Sequence, residues 1–99
     1  MTAGPRRDRY VAFELGEPGH GREFATGLHA AVASWPKEDR PRLLFIEGRC
    51  GLVRCDQFTK DAVVRLLNAM RLPGPSPSVQ TLGTSGTIRR ARTKYFRKT

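Results

Sequence analysis

Ninety-nine residues are enough for one compact domain and too few for two. Ala, Val, Ile, Leu, Met, Phe, Trp, Cys and Gly together make up 46 of them, an ordinary globular composition that excludes a disordered chain. The net charge of +9 is concentrated at the ends: residues 1 to 9 carry +2, residues 83 to 99 carry +6 with no acid, and residues 10 to 82 only +1. That asymmetry points to a polyanionic partner, nucleic acid before an anionic membrane surface. No run approaches the roughly 18 apolar residues that span a bilayer. MTAGPRRDR has no apolar signal-peptide core, so a cytoplasmic location without a membrane partner is expected.

In chain order, RYVAFEL (9–15) alternates, Val11, Phe13 and Leu15 facing one way and Tyr10, Ala12 and Glu14 the other, as in a half-buried strand. GEPGHG (16–21) is loop chemistry. Phe24, Leu28, Ala31, Val32 and Trp35 recur at helical spacing until Pro36 stops the run. RLLFIEGRCGLVRC (42–55) reads as two strands joined by a tight turn near Gly48 and Arg49, with a bulge or close approach at Gly51. Leu43, Leu44, Phe45 and Ile46 form a continuous apolar run, which predicts a strand covered on both faces. Helices of this domain cover one face; the other calls for a partner protein or a second copy, reached through Leu43, Phe45 and Leu52.

A second helix begins at Asp56 or Thr59, with Phe58, Ala62, Val63, Leu66, Leu67 and Met70 in one stripe. LPGPSPS ends it, and Val79, Thr81 and Leu82 make a fourth strand. Ile88, Ala91, Arg92 and Tyr95, spaced i, i+3, i+4, i+7, predict a short basic C-terminal helix. The order β-α-β-β-α-β is that of an α+β, ferredoxin-like fold, an antiparallel sheet with two helices on one face. The chain then divides into a basic tail (1–8), the ferredoxin-like domain (9–86) and a basic helix or tail (87–99).

Catalytic chemistry finds little footing. The nine acids are scattered, and the sequence has no Ser-His-Asp order, Cys-His pairing or phosphate-loop motif. Cys50 and Cys55 fall on opposite faces of one strand and read as packing residues. With His20 and His29 they lack zinc-ligand spacing, so neither a metal nor a bound cofactor is expected. An RNA-recognition motif would stack bases on aromatics of its central strands, but GLVRC has none and the first strand offers only Tyr10.

The cationic ends remain. In TLGTSGTI, Gly83 and Gly86 permit backbone conformations in which amides converge on an anion, and Thr84, Ser85 and Thr87 add hydroxyls. A helix beginning near Thr87 would add its N-terminal dipole. Arg89, Arg90, Arg92, Lys94 and Arg97, with Arg6, Arg7 and Arg9 at the other end, would supply charge for phosphates. By pattern alone, a plain turn with a capped, solvated helix accounts for the same residues equally well.

RYVAFEL, the hairpin GRCGLVRC and above all TLGTSGTIRRARTKYF resemble archaeal ribonuclease P protein component two, of the Pop/Rpp-type family shared with eukaryotic ribonuclease P and RNase MRP. Leu82, Gly83, Ser85, Gly86, Thr87 and Ile88 match the family's Leu-Gly-x-Ser-Gly-Thr-Ile segment, and the likeness extends over roughly residues 9 to 96. GEPGHG and LPGPSPS have no counterpart in it. The resemblance implies a ferredoxin-like fold and a non-catalytic subunit of the endoribonuclease that removes the 5′ leader of precursor tRNA. The catalyst there is RNA with bound magnesium. Implied partners are the ribonuclease P RNA, precursor tRNA, a TIM-barrel protein subunit and further copies of the chain. Two other readings stay open: a different structured-RNA-binding protein of a ribosome or ribonucleoprotein, and a small oligomeric regulatory domain.

Overall fold

The computed structural model describes residues 5–96. Strand β1 (Asp8–Leu15) leads to helix α1 (Gly21–Ala31), then strands β2 (Arg42–Glu47) and β3 (Cys50–Asp56), helix α2 (Lys60–Ala69), strand β4 (Val79–Ser85) and helix α3 (Ile88–Tyr95). The strands form one sheet in the order β2-β3-β1-β4, every neighbouring pair antiparallel. The β2–β3 hairpin turns at Gly48, whose φ of 62° lies in the left-handed region that glycine enters freely.

The alternation of β1 assigns its two faces. Val11, Phe13 and Leu15 join Phe24 and Leu28 of α1, Val63 and Leu67 of α2, and Val53 and Val79 in the main core. Phe13 stacks on Phe24 with ring centroids 4.4 Å apart. Opposite Phe13 in the ladder stands Gly51, where an added Cβ would lie 2.3 Å from the ring, so the predicted close approach is an aromatic ring filling a glycine notch.

On the other face, Tyr10, Ala12 and Leu52 are buried with Ala91 of α3, and Leu44, Phe45, Tyr95 and Phe96 pack around them. The LLFI run serves both faces because β2 carries a bulge: Leu43 pairs with Val53 and Phe45 with Leu52, leaving one extra residue between. Leu43 and Ile46 therefore join the main core, and Leu44 and Phe45 the second cluster. The cover that the apolar run required comes from the chain's own third helix.

Two further expectations are corrected. Helix α1 ends at Ala31 rather than running to Trp35, because the chain tightens before Pro36, and Arg40 caps the exit by donating to the carbonyls of Ala33 (2.8 Å) and Trp35 (3.0 Å). Phe58 is not part of the α2 stripe but 53% exposed, since it precedes the helix in a turn closed by Asp56. The Asp56 carboxylate accepts from the Phe58 amide (2.8 Å) and the Thr59 amide (2.9 Å). Burial pushes that carboxyl up, but these hydrogen bonds and one from Arg6 outweigh it and hold it below the usual Asp value.

Candidate nucleic-acid interface

Eight residues make a marginal helix in isolation, so what fixes α3 is tertiary. Its start is capped: the Thr87 hydroxyl accepts from the Arg90 amide at 3.1 Å. Its inner side seats fully buried Ala91 against the sheet. Tyr95 lies over Gly83, so closely that a Cβ there would sit 1.9 Å from the Tyr95 hydroxyl oxygen. At the exit, Phe96 meets Phe45 edge to face, centroids 5.2 Å apart. Arg92 lays its guanidinium 4.4 Å from the Phe45 ring centroid and reaches Glu47 at 3.3 Å.

This docking sorts the C-terminal cations. Arg92 faces the sheet and is engaged with Phe45 and Glu47, whereas Arg89, Arg90 and Lys94 lie on the exposed side. The Lys94 ammonium sits 5.5 Å from the Tyr95 ring centroid, which leaves its charge at the surface. Arg97 lies outside the described residues.

The segment before the helix is strand, not an anion-cradling loop. Gly83, Thr84 and Ser85 pair with Ala12, Val11 and Tyr10 of β1, and neither Gly83 nor Gly86 has a positive φ. The amides of a strand are directed into its ladder rather than towards one point. Gly83 is small because of Tyr95, and a bulge at Leu82 leaves the Thr81 amide to donate to the Asn68 side chain at 3.0 Å. Ser85 is buried with its hydroxyl oxygen lacking a hydrogen-bond partner.

At the other end, Arg6 is bound internally. It donates to Asp56, to Asp39 at 3.0 Å and to the Glu38 carbonyl at 3.4 Å, and the hydrogen bonds to Asp39 and Asp56 raise its pKa. Gln57 ties the neighbouring backbone, accepting from the Arg7 amide at 2.5 Å and donating to the Pro5 carbonyl at 2.9 Å. The Arg7 side chain stays exposed. Arg9 hydrogen-bonds the Asp8 carbonyl at 2.8 Å and lies beside Gly86, so the β1–β4 ladder brings the two cationic ends of the sequence together.

The residues expected at a partner interface separate. Leu52 is fully buried under α3, Leu43 belongs to the α1–α2 side, and Phe45 is half-buried between Arg92 and Phe96. Leu82 (37%) and Ile88 (40%) are the large apolar residues left exposed near β4 and α3.

Sequence reasoning missed one pairing altogether. Arg54 of β3 stands directly opposite Arg42 of β2 on one side and Tyr10 of β1 on the other, beside a surface cleft of about 240 Å³. Parity along GLVRC and RLLFIE was the available signal, but the β2 bulge makes that parity unreadable without the ladder. Among the described residues no helix is long and apolar enough to cross a membrane. Comparison with protein-family models and with curated proteins finds no match.

Proposed function

We propose that the chain is a non-catalytic, RNA-binding subunit of ribonuclease P, of the Pop/Rpp type, in which α3 carries the contact to the catalytic RNA. The observation that carries this reading is the anchored cationic helix. A cap at Thr87, Ala91 seated on the sheet and Tyr95 over Gly83 hold α3 with Arg89, Arg90 and Lys94 exposed, and Arg9 lies beside Gly86 just before the helix. Immobilising those charges before binding lowers the ordering cost of meeting a phosphate-lined surface. The glycine and hydroxyl residues of the family-like segment Leu82–Ile88 have structural work here: Gly83 admits Tyr95 and Thr87 caps the helix.

The element order β-α-β-β-α-β with sheet order β2-β3-β1-β4 supports a ferredoxin-like arrangement for the first six elements, α3 being an addition on the opposite face. In this reading the magnesium ions belong to the RNA, and the protein acts by neutralising crowded phosphates. A TIM-barrel subunit, precursor tRNA and further copies of the chain are the remaining partners proposed. The test is reconstitution with the ribonuclease P RNA and the TIM-barrel subunit, followed by precursor-tRNA cleavage at limiting magnesium. Adding this chain should raise cleavage; an unchanged rate together with no binding to the RNA overturns the assignment.

A further inference from the structure

Arg42 and Arg54 are Cα partners in the β2–β3 ladder, so two like charges stand directly across from one another on one face of the sheet. Such a pair is destabilising in the free protein. Neither guanidinium has a carboxylate partner among the described residues, although Arg54 is half-buried. Paired arginines without an ion-pair partner invite an anion, and the guanidinium fork fits phosphate oxygens two at a time.

The cleft beside them has the character to receive one. Arg6, Lys37, Arg40, Arg42 and Arg54 all contribute to its wall. Five cations there face four acids, a net charge of +1. Arg6 is bound to Asp39 and Asp56 and Arg40 to the carbonyls of Ala33 and Trp35, which leaves Lys37, Arg42 and Arg54 as the cations without such partners. Arg54 is also next to Tyr10, whose other ladder partner is Ser85, two residues before the α3 cap. One row of the sheet therefore runs from this cleft toward the start of the cationic helix, with Tyr10 and Ser85 buried between the two.

We propose that Arg42 and Arg54 form a phosphate-binding site that takes the backbone of the same RNA further along the sheet from α3. The inference rests on the RNA-binding reading above and extends its footprint from one helix to a second phosphate site at the far end of the same row of the sheet. One phosphate held by two forks removes the repulsion that the ladder imposes on the free protein, so ligand and fold are stabilised together.

Two measurements on the full chain test it. Inorganic phosphate is titrated while the arginine side-chain Nε–Hε resonances are followed, and an RNA hairpin is bound across a salt series by wild type, Arg42→Gln/Arg54→Gln and Arg89→Ala/Arg90→Ala/Lys94→Ala. Phosphate should shift the Arg42 and Arg54 resonances ahead of the other arginines. The glutamine pair should lower the slope of log K against log salt by about 0.7–0.9 units, the value for one lost phosphate contact. If that slope is unchanged while the α3 variant weakens binding, the site is wrong and the RNA reading stands. If wild type binds no RNA, the RNA reading falls and this site with it. Should the glutamine pair fail to fold, Arg42→Lys/Arg54→Lys keeps charge and loses the forks. It should retain the slope and lose several-fold in affinity, and undiminished affinity would overturn the site.

Discussion

The ring of Tyr95 occupies the space that a side chain on Gly83 would fill, with the hydroxyl oxygen 1.9 Å from where the Cβ would stand. This contact joins β4 to α3 and makes the orientation of the cationic helix depend on a residue without a side chain. Gly83→Ala should cost about 1–3 kcal/mol by overpacking. It should also open α3 to proteolysis before the sheet unfolds. Tyr95→Ala in the same chain should remove most of the added penalty, giving strong non-additivity in chemical denaturation.

Gly51 and Phe13 repeat that relationship in the main core. Gly51→Ala brings a methyl to 2.3 Å from a fully buried ring that is itself stacked on Phe24. With no free space to move into, Phe13 must displace its neighbours. The expected loss is about 2–3 kcal/mol, read from the urea midpoint, with no change in RNA salt dependence.

The helix cations are expected to govern RNA binding through counterion release. Arg89→Ala/Arg90→Ala/Lys94→Ala should weaken binding and reduce the salt slope by about 2–3 units. The thermal midpoint should hardly move, since all three side chains are exposed. An unaltered slope would refute the role of α3.

Acid stability should carry the signature of Asp56. Its carboxyl is held below the usual Asp value, so its contribution is fully present above the unfolded pKa of about 3.9. That contribution declines as pH falls through 3.9 toward the lower folded value. Asp56→Asn should therefore destabilise the protein at pH 7 and flatten the stability profile below pH 4, as followed by urea midpoints at each pH.

The two thiols should differ in reactivity. Burial, with Asp56 adding to it, pushes Cys55 up to about 11, and burial also raises Cys50, which is only half-buried. Iodoacetamide at pH 8 should label Cys50 slowly and Cys55 only on unfolding, as mass spectrometry of the native and denatured protein would show.

Much of the architecture was legible because local patterns had local causes. Alternation in RYVAFEL separated Val11, Phe13 and Leu15 from Tyr10 and Ala12, and the structure places those sets in two different clusters. The i, i+3, i+4, i+7 spacing of Ile88, Ala91, Arg92 and Tyr95 identified α3. At the candidate site, the exposure of Arg89, Arg90 and Lys94 followed from the same spacing, since these positions lie off the stripe.

What composition and periodicity determined, then, is that this chain has one domain, an antiparallel sheet with helices, and a basic helix at its end. Only the tertiary structure decided where that helix goes. LLFI required cover on both faces, but sequence carries no record of which distant segment supplies it, because that choice depends on the energy of contacts between residues dozens of positions apart. Docking α3 on this face buries Leu52 fully and leaves Phe45 half-buried. It engages Arg92, still exposed, with Phe45 and Glu47, and leaves Arg89, Arg90 and Lys94 exposed without such a tie to the sheet. The bulge in β2 did the rest: one inserted residue reversed the parity of the strand, and the ladder then set Arg42 against Arg54.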